Sequence, residues 1–331
     1  MNTEFKHSQF AHCESGVMST LLSHYGLKIS EPMAFGITSS LSFVYIPIVK
    51  LNNMPLIAYR DLPKNIINKI SKVLNIDMVK KSYKNQNEAN EELKKLVEDD
   101  NKLVGLQTSV FYLPYMPKDM RFHFNAHNLL VYGKEGSDYK ISDPVFEEAV
   151  LCDEKELTKA RFAKGVFAPK GFLYYPKNIP KDIDFSKVVK KSIIKNAKSM
   201  LTPFRFAGVK GMRTLAKKIS KFDENTDSRY LKNYLTHIVR MQEEIGTGGG
   251  GFRFLYAAFL EESKKYDIDN KILDEAAILF VKSGNTLREF ALLCVGSSKK
   301  TENFDAVKIS NKLIEASKYE EEAYRILKKL K

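Results

Sequence analysis

His12-Cys13-Glu14-Ser15-Gly16-Val17-Met18-Ser19-Thr20-Leu21-Leu22-Ser23-His24-Tyr25-Gly26 is the stretch from which the fold can be read. Val17, Met18, Leu21, Leu22 and Tyr25 recur at helical spacing on one face, and Gly26 is a natural C-terminal stop. The pattern places Cys13 at the head of an amphipathic helix. There the unpaired backbone N–H groups and the positive dipole end favour thiolate over thiol. The same N–H groups can bind a developing oxyanion. One position thus offers both a nucleophile and part of its transition-state stabilisation.

A cysteine nucleophile needs a base and a group to orient that base. His127 opens an apolar strand, His127-Asn128-Leu129-Leu130-Val131-Tyr132-Gly133, and a polar turn leads to Tyr139-Lys140-Ile141-Ser142-Asp143-Pro144. A hairpin symmetric about Glu135 sets His127 directly opposite Asp143, on one face of the pair, where the carboxylate can orient the imidazole. A one-residue slip would destroy this alignment. His123 is the rival base, because it shares a face with His127 if the strand extends that far. Each residue also has an ordinary structural reading: a small core thiol, a satisfied polar histidine and a strand-ending Asp-Pro. Gln9, four residues before Cys13, is the candidate oxyanion-hole side chain.

Outward from these residues, helical patterns cover about 62–74 and 87–98. Strand patterns cover 103–110, 127–132, 139–142 and 172–175. Prolines between 169 and 180 mark a junction, after which the chain reads as helical to its end. The expected architecture is α+β: a catalytic domain over residues 1–178 and a mainly helical domain over 179–331. The chain has 331 residues, 44% of them hydrophobic and 28% charged, which excludes a disordered, collagen-like or disulfide-scaffolded protein. Cys13, Cys152 and Cys294 cannot all pair and follow no metal-ligand spacing, so a reducing, cytoplasmic location is expected. The apolar run at 41–49 carries Ser and Pro and is too short for a membrane span.

Lys and Arg number 53 against 40 Asp and Glu, a net charge of +13. Eleven of the basic residues (187, 190, 191, 195, 198, 205, 210, 213, 217, 218 and 221) fall between Lys187 and Lys221, which holds no Asp or Glu. Such a segment is solvated helix surface, a face for an acidic partner or, with Val188, Val189, Ile193 and Ile194 interleaved among its lysines, a peripheral membrane-binding stretch. No nucleic-acid-binding motif is present. The glycine run Gly246-Thr247-Gly248-Gly249-Gly250-Gly251 leads into Phe252-Arg253 and a helical pattern. It lacks the Lys-Ser or Lys-Thr of a nucleotide-binding loop. Gly249 and Arg253 are candidates for holding an anion there, against the alternative of a helix–helix turn or close backbone packing.

These residues resemble the butirosin biosynthesis protein H family. The resemblance runs from about Phe5 to Pro176 through His12-Cys13-Glu14, Ser30-Glu31-Pro32-Met33-Ala34-Phe35-Gly36, Phe43-Val44-Tyr45, Tyr112-Leu113-Pro114-Tyr115, His127 with Gly133, and Ser142-Asp143-Pro144. In the second half it runs through Glu243-Glu244-Ile245, the glycine run, Phe252-Arg253, Leu255-Tyr256 and Phe259-Leu260. The resemblance implies a papain-like cysteine-protease fold followed by a helical acceptor domain. It also implies an amide-forming acyltransferase of antibiotic biosynthesis, with Cys13, His127 and Asp143 as catalytic residues. Glu14 and Tyr115 join Gln9 as oxyanion or substrate-binding candidates. The substrate would be the phosphopantetheine thioester of an acidic carrier protein, the acceptor a small-molecule amine, with no cofactor bound; a homodimer is compatible. Thr108, Ser109 and Val110 stand where the family often has an acidic residue, and Lys134 where it has Asp. The His–Asp spacing also resembles the peptidase domains of bacteriocin exporters, so a papain-like peptidase or amidase is the alternative.

Overall fold

The computed structural model describes residues 5–51, 53–246, 248–299 and 304–330. Along the chain the elements are α1 (Cys13–His24), α2 (Glu31–Gly36), β1 (Leu41–Leu51), β2 (Met54–Arg60), α3 (Asn65–Val73), β3 (Asp77–Lys81) and α4 (Gln86–Lys94). Then come β4 (Val104–Thr108), β5 (His127–Glu135), β6 (Asp138–Ser142), β7 (Val150–Asp153), α5 (Glu154–Arg161) and β8 (Leu173–Asn178). The remaining helices are α6 (Phe185–Met200), α7 (Gly208–Ile219), α8 (Ser228–Val239), α9 (Arg253–Ser263), α10 (Asn270–Lys299) and α11 (Ala306–Leu327).

The chain forms two units: one holds the chain up to Ala34 and Leu62–Ile183, the other Phe35–Asp61 and the chain from Asp184 onward. A linear division at 178/179 lies a few residues from the second crossing, but it assigns the β1–β2 hairpin to the first domain. The structure groups that hairpin with the helices. Its backbone is bonded there: Asn196 donates to the Leu41 carbonyl at 2.7 Å and the Tyr45 N–H to the Phe206 carbonyl at 2.9 Å.

The first unit is built on a six-stranded antiparallel sheet of order β3-β8-β4-β5-β6-β7. Leu106, Leu129, Val131, Tyr139 and Ile141 turn one face toward Ala89, Leu93, Leu157 and Ala160 of α4 and α5. Helix α1 packs against β4 and β5. Every residue of α1 from Cys13 to Leu22 is buried, so it is a central helix and not the half-exposed one its apolar stripe suggests. Its second face is Ser15, Gly16, Ser19 and Thr20, small enough to be covered closely: a Cβ on Gly16 would fall 2.6 Å from Phe10 Cβ.

The β5–β6 register differs from the expected one. Leu130 pairs with Ser142 and Val131 with Ile141, whereas Gly133 pairs with Lys140 and Glu135 with Asp138. The turn is therefore Gly136-Ser137, with Gly136 at φ +60°, as a two-residue hairpin turn requires. A bulge at Tyr132 shifts the pairing again. His127 and Asp143 are consequently two residues out of opposition. An even offset keeps both on one face as diagonal neighbours, which long side chains can still bridge.

In the second unit, α10 packs against α8, α9 and α11. Phe280 sits at the centre, edge-on to Tyr256 at 4.9 Å and to Tyr324 at 5.1 Å between ring centroids. The helical reading of the second half holds; α9 ends at Ser263 and α10 runs unbroken from Asn270 to Lys299.

Candidate active site

Cys13 is the first residue of α1 and only 8% exposed. The turn before it is held by Glu31, whose carboxylate accepts from the N–H of Ala11 (3.0 Å) and His12 (2.7 Å) and from the Ser15 hydroxyl (3.1 Å). Burial pushes the Glu31 pKa up, against the pull of these donors. His12 caps α1, its Nδ1 accepting from the Ser15 N–H at 3.3 Å. Glu31 was missed as a site residue. Its signal is slight: an acidic residue at the start of a short helix beside Pro32.

His127 and Asp143 meet. His127 Nε2 lies 2.7 Å from Asp143 Oδ2, with His127 3% and Asp143 0% exposed. The Cys13 side chain lies beside the same imidazole. With Nε2 on Asp143, Nδ1 is the ring nitrogen left for the sulfur. Burial lowers the His127 pKa; the charge and hydrogen bond of Asp143, followed by those of Cys13, more than offset it and push it up to about 10. The arrangement keeps the imidazole protonated at neutral pH, beside the sulfur.

Asp143 is itself fixed from three directions. Besides His127, Oδ2 accepts from the Tyr115 hydroxyl at 3.0 Å, and Oδ1 accepts from the Val145 N–H at 3.1 Å. Tyr115, expected to touch substrate, instead steadies the carboxylate. Burial, with the Asp143 charge, raises its pKa well above the ordinary tyrosine value, so the hydroxyl stays a donor. Gln9 is exposed, and its amide donates to the Val145 carbonyl at 3.0 Å. The N-terminal segment is thereby tied to the Asp143 loop, together with His7, whose ring nitrogens lie 2.7 Å from Ser142 Oγ and 3.0 Å from the Phe146 carbonyl.

Other candidates are placed elsewhere. His123 is exposed and stacked on Phe111 at 4.0 Å; β5 begins only at His127, so the two histidines share no strand face. Glu14 is fully buried and turned to the head of α3, where Oε1 accepts from the N–H of Ile66 (3.0 Å) and Ile67 (3.3 Å). It caps a neighbouring helix and is not a substrate contact.

The glycine run does meet an anion, but one from its own chain. The Gly250 N–H donates to the Glu243 carboxylate at 3.0 and 3.2 Å. Gly248 to Gly251 all take positive φ, between 56° and 82°, which explains why side chains are absent there. A Cβ on Gly249 would fall 2.5 Å from an Arg288 nitrogen, and one on Gly251 would fall 2.4 Å from the Tyr59 ring. Arg253 is fully buried: Nε and Nη2 donate to the two Glu320 oxygens at 2.9 and 3.0 Å, and Nη1 to the Gly251 carbonyl at 2.7 Å. Neither Gly249 nor Arg253 is an open anion cradle: Gly249 is half-buried against Arg288, and Arg253 is part of the buried interior of the second unit.

Comparison with known proteins matches both halves. Residues 12–144 fit the family model described as butirosin biosynthesis protein H, N-terminal, and residues 155–327 fit a domain of unknown function, DUF4872. The chain belongs to the DUF4872 family, whose model spans more than half of it, and its first half is similar to the N-terminal domain of butirosin biosynthesis protein H. A solved structure described as a C39-like peptidase from Bacillus anthracis is 14% identical, with a TM-score of 0.38, over 54% of this chain and 96% of its own. No curated protein matches. The first unit has the papain-like layout, a cysteine heading a helix packed on an antiparallel sheet whose strand brings the histidine. In fold and in the placement of Cys13, His127 and Asp143, the first unit resembles a papain-like cysteine enzyme. No helix among the described residues is long and apolar enough to cross a membrane.

Proposed function

We propose that the protein is a cysteine acyltransferase that forms an amide by moving an acyl group from a carrier-protein thioester to a small-molecule amine, in antibiotic biosynthesis. The observation that carries this reading is the Cys13–His127–Asp143 constellation in a chain matching its family through both halves.

In the first half-reaction the Cys13 thiolate attacks the thioester carbonyl. Backbone N–H groups at the head of α1 hold the oxyanion. Collapse breaks the bond to the carrier sulfur, which takes the imidazolium proton from His127 and leaves as the phosphopantetheine thiol. In the second, the amine attacks the acyl-cysteine, His127 Nδ1 accepts its proton, and Cys13 leaves as thiolate. Asp143, held by Tyr115 and the Val145 N–H, keeps the imidazole oriented through both steps. The balance is thioester plus amine to amide plus thiol, which runs downhill without ATP. The near-complete burial of Cys13 favours amine over water as acceptor.

Intact-mass measurement after mixing the protein with an acyl carrier thioester tests the reading. A single acyl adduct on Cys13, stable in buffer and discharged by an added amine as the amide, is expected. Rapid discharge by water alone would assign a hydrolase instead, and an unchanged mass would refute acyl transfer.

A further inference from the structure

Helix α6 divides cleanly around its axis. At 100° per residue, Lys187, Lys190, Lys191, Ile194, Lys195 and Lys198 fall within an arc of about 140°. Val189, Ser192, Ile193, Asn196, Ala197 and Met200 fall on the opposite side and are buried. The five lysines and Ile194 line a groove of about 730 Å³. Lys187, Lys191, Lys195 and Lys198 are exposed, and Lys190 and Ile194 half-exposed. Five lysines therefore stand together over about three turns, roughly 16 Å. No acidic residue follows in the sequence until Asp223. Folding derives nothing from this repulsion, since the buried face alone anchors the helix.

The acidic residues among those lining the groove, Asp184 and Asp267, sit at one end of it. Asp184 is the N-cap of α6, bonded to the Lys187 N–H at 2.9 Å, and the Asp267 N–H donates to Ser186 Oγ at 3.1 Å. The groove is thus negative at its head and positive along its length. A partner is oriented as well as attracted.

We infer that this groove on α6 is a docking surface for an acidic protein helix. The occupant follows from shape and chemistry. Ile194 is the one apolar side chain among the residues lining it, too little to bury in a lipid interface. The contacts are ammonium groups without a single guanidinium, whereas planar bidentate recognition of phosphates favours arginine. The lysine spacing of three, four and one along a helix matches carboxylates at the same helical spacing on a partner, and Ile194 gives the pair an apolar seam. This inference rests on the proposed function for its biological sense: the acidic partner would be the protein that carries the acyl thioester.

The test uses the full chain and a fluorescein-labelled acyl carrier protein. Wild-type protein should bind it with an affinity that falls steeply with salt, and Lys191→Glu with Lys195→Glu should weaken binding about tenfold or more, chiefly through slower association. Lys328→Glu with Lys329→Glu, exposed lysines on the C-terminal segment, makes the same change in net charge and should shift affinity less than twofold. Thermal melts of both variants check folding. Equal effects of the two pairs would reduce the groove to nonspecific charge and overturn the inference. So would tighter binding to vesicles with 30% phosphatidylserine, or to a 20-base-pair DNA duplex, than to the carrier. A pantetheine thioester without its protein separates the two readings. If it acylates Cys13 while the carrier does not bind at the lysines, docking fails and the chemistry stands. If the carrier binds there yet neither donor acylates Cys13, docking stands and the acyl-transfer reading fails.

Discussion

Removing Arg253 should cost stability, not substrate recognition. Its guanidinium makes a two-point pair with Glu320 at 2.9 and 3.0 Å, and Glu320 also accepts from Ser283 Oγ at 2.9 Å; both charged groups are fully buried. Burial lowers the Arg253 pKa, but the Glu320 carboxylate more than offsets that, so the arginine stays charged. Arg253→Met leaves the carboxylate buried with a single hydroxyl donor. Glu320→Leu leaves a buried cation with the Gly251 carbonyl at 2.7 Å and the Ser42 carbonyl at 3.5 Å. Breaking a buried pair from either side costs about 3–5 kcal/mol. For a unit of this size that corresponds to a fall in Tm of roughly 6–20 °C. The double variant, with neither charge, should be close to or better than either single one, giving a coupling energy of several kcal/mol in a double-mutant cycle. Urea denaturation of the four proteins measures this. If the single variants lose less than about 1 kcal/mol, or if Arg253→Met melts like wild type but no longer accepts a phosphopantetheine donor, the structural assignment of Arg253 is wrong.

Tyr115→Phe keeps the ring against Phe146, at 5.5 Å between centroids, and removes only the donor to Asp143. It should cost about 0.5–1.5 kcal/mol in urea denaturation and slow Cys13 acylation; an unchanged acylation rate would show that Asp143 needs no third anchor. Cys13→Ala removes the sulfur that helps raise the His127 pKa, so the imidazole should titrate below about 10 by NMR, and an unmoved pKa would mean the sulfur is not in contact. Because the folded His127 pKa lies above the unfolded value of about 6.5, its contribution to stability is complete below pH 6.5 and is lost as pH rises through about 10. Stability of wild type relative to His127→Gln, followed by denaturation at pH 6 and pH 10.5, should shrink over that window. Glu14→Ala uncaps α3 and should cost about 1–3 kcal/mol, whereas Glu14→Gln, which retains an acceptor oxygen, should cost less; equal costs would point to charge and not to the hydrogen bonds.

The nucleophile helix was legible because its signals are local: apolar residues at helical spacing and a glycine stop. The His127–Asp143 contact was legible as a pairing on one strand face, but its register was not. Gly136 moved the turn and Tyr132 bulged, and the two displacements combined into an even offset that preserved the face. Glu14 was misread because a carboxylate beside a nucleophile looks like chemistry. Its task, capping a helix some fifty residues away, exists only in three dimensions. The glycine run failed similarly: helix-start N–H groups attract an anion, yet sequence alone does not show that Glu243 is the one supplied. The hairpin at Leu41–Arg60 escaped because an apolar run interrupted by Pro47 lacks the alternation of a half-buried strand.

That hairpin has consequences for how the molecule is made. Its partners Asn196, Phe206, Tyr234 and Gln242 are encoded well over a hundred residues downstream. At about 5–20 residues per second, the ribosome leaves two β-strands waiting for roughly ten seconds or longer before the helices that receive them emerge. The first unit, interrupted by those strands, can close around Cys13 earlier only by looping them out. For the same reason no single recombination point separates the two halves of the gene product. An exchange at the junction near Ile183 would set the helices of one parent against a hairpin selected for the helices of the other, so Phe35–Asp61 and the C-terminal half are expected to be inherited together.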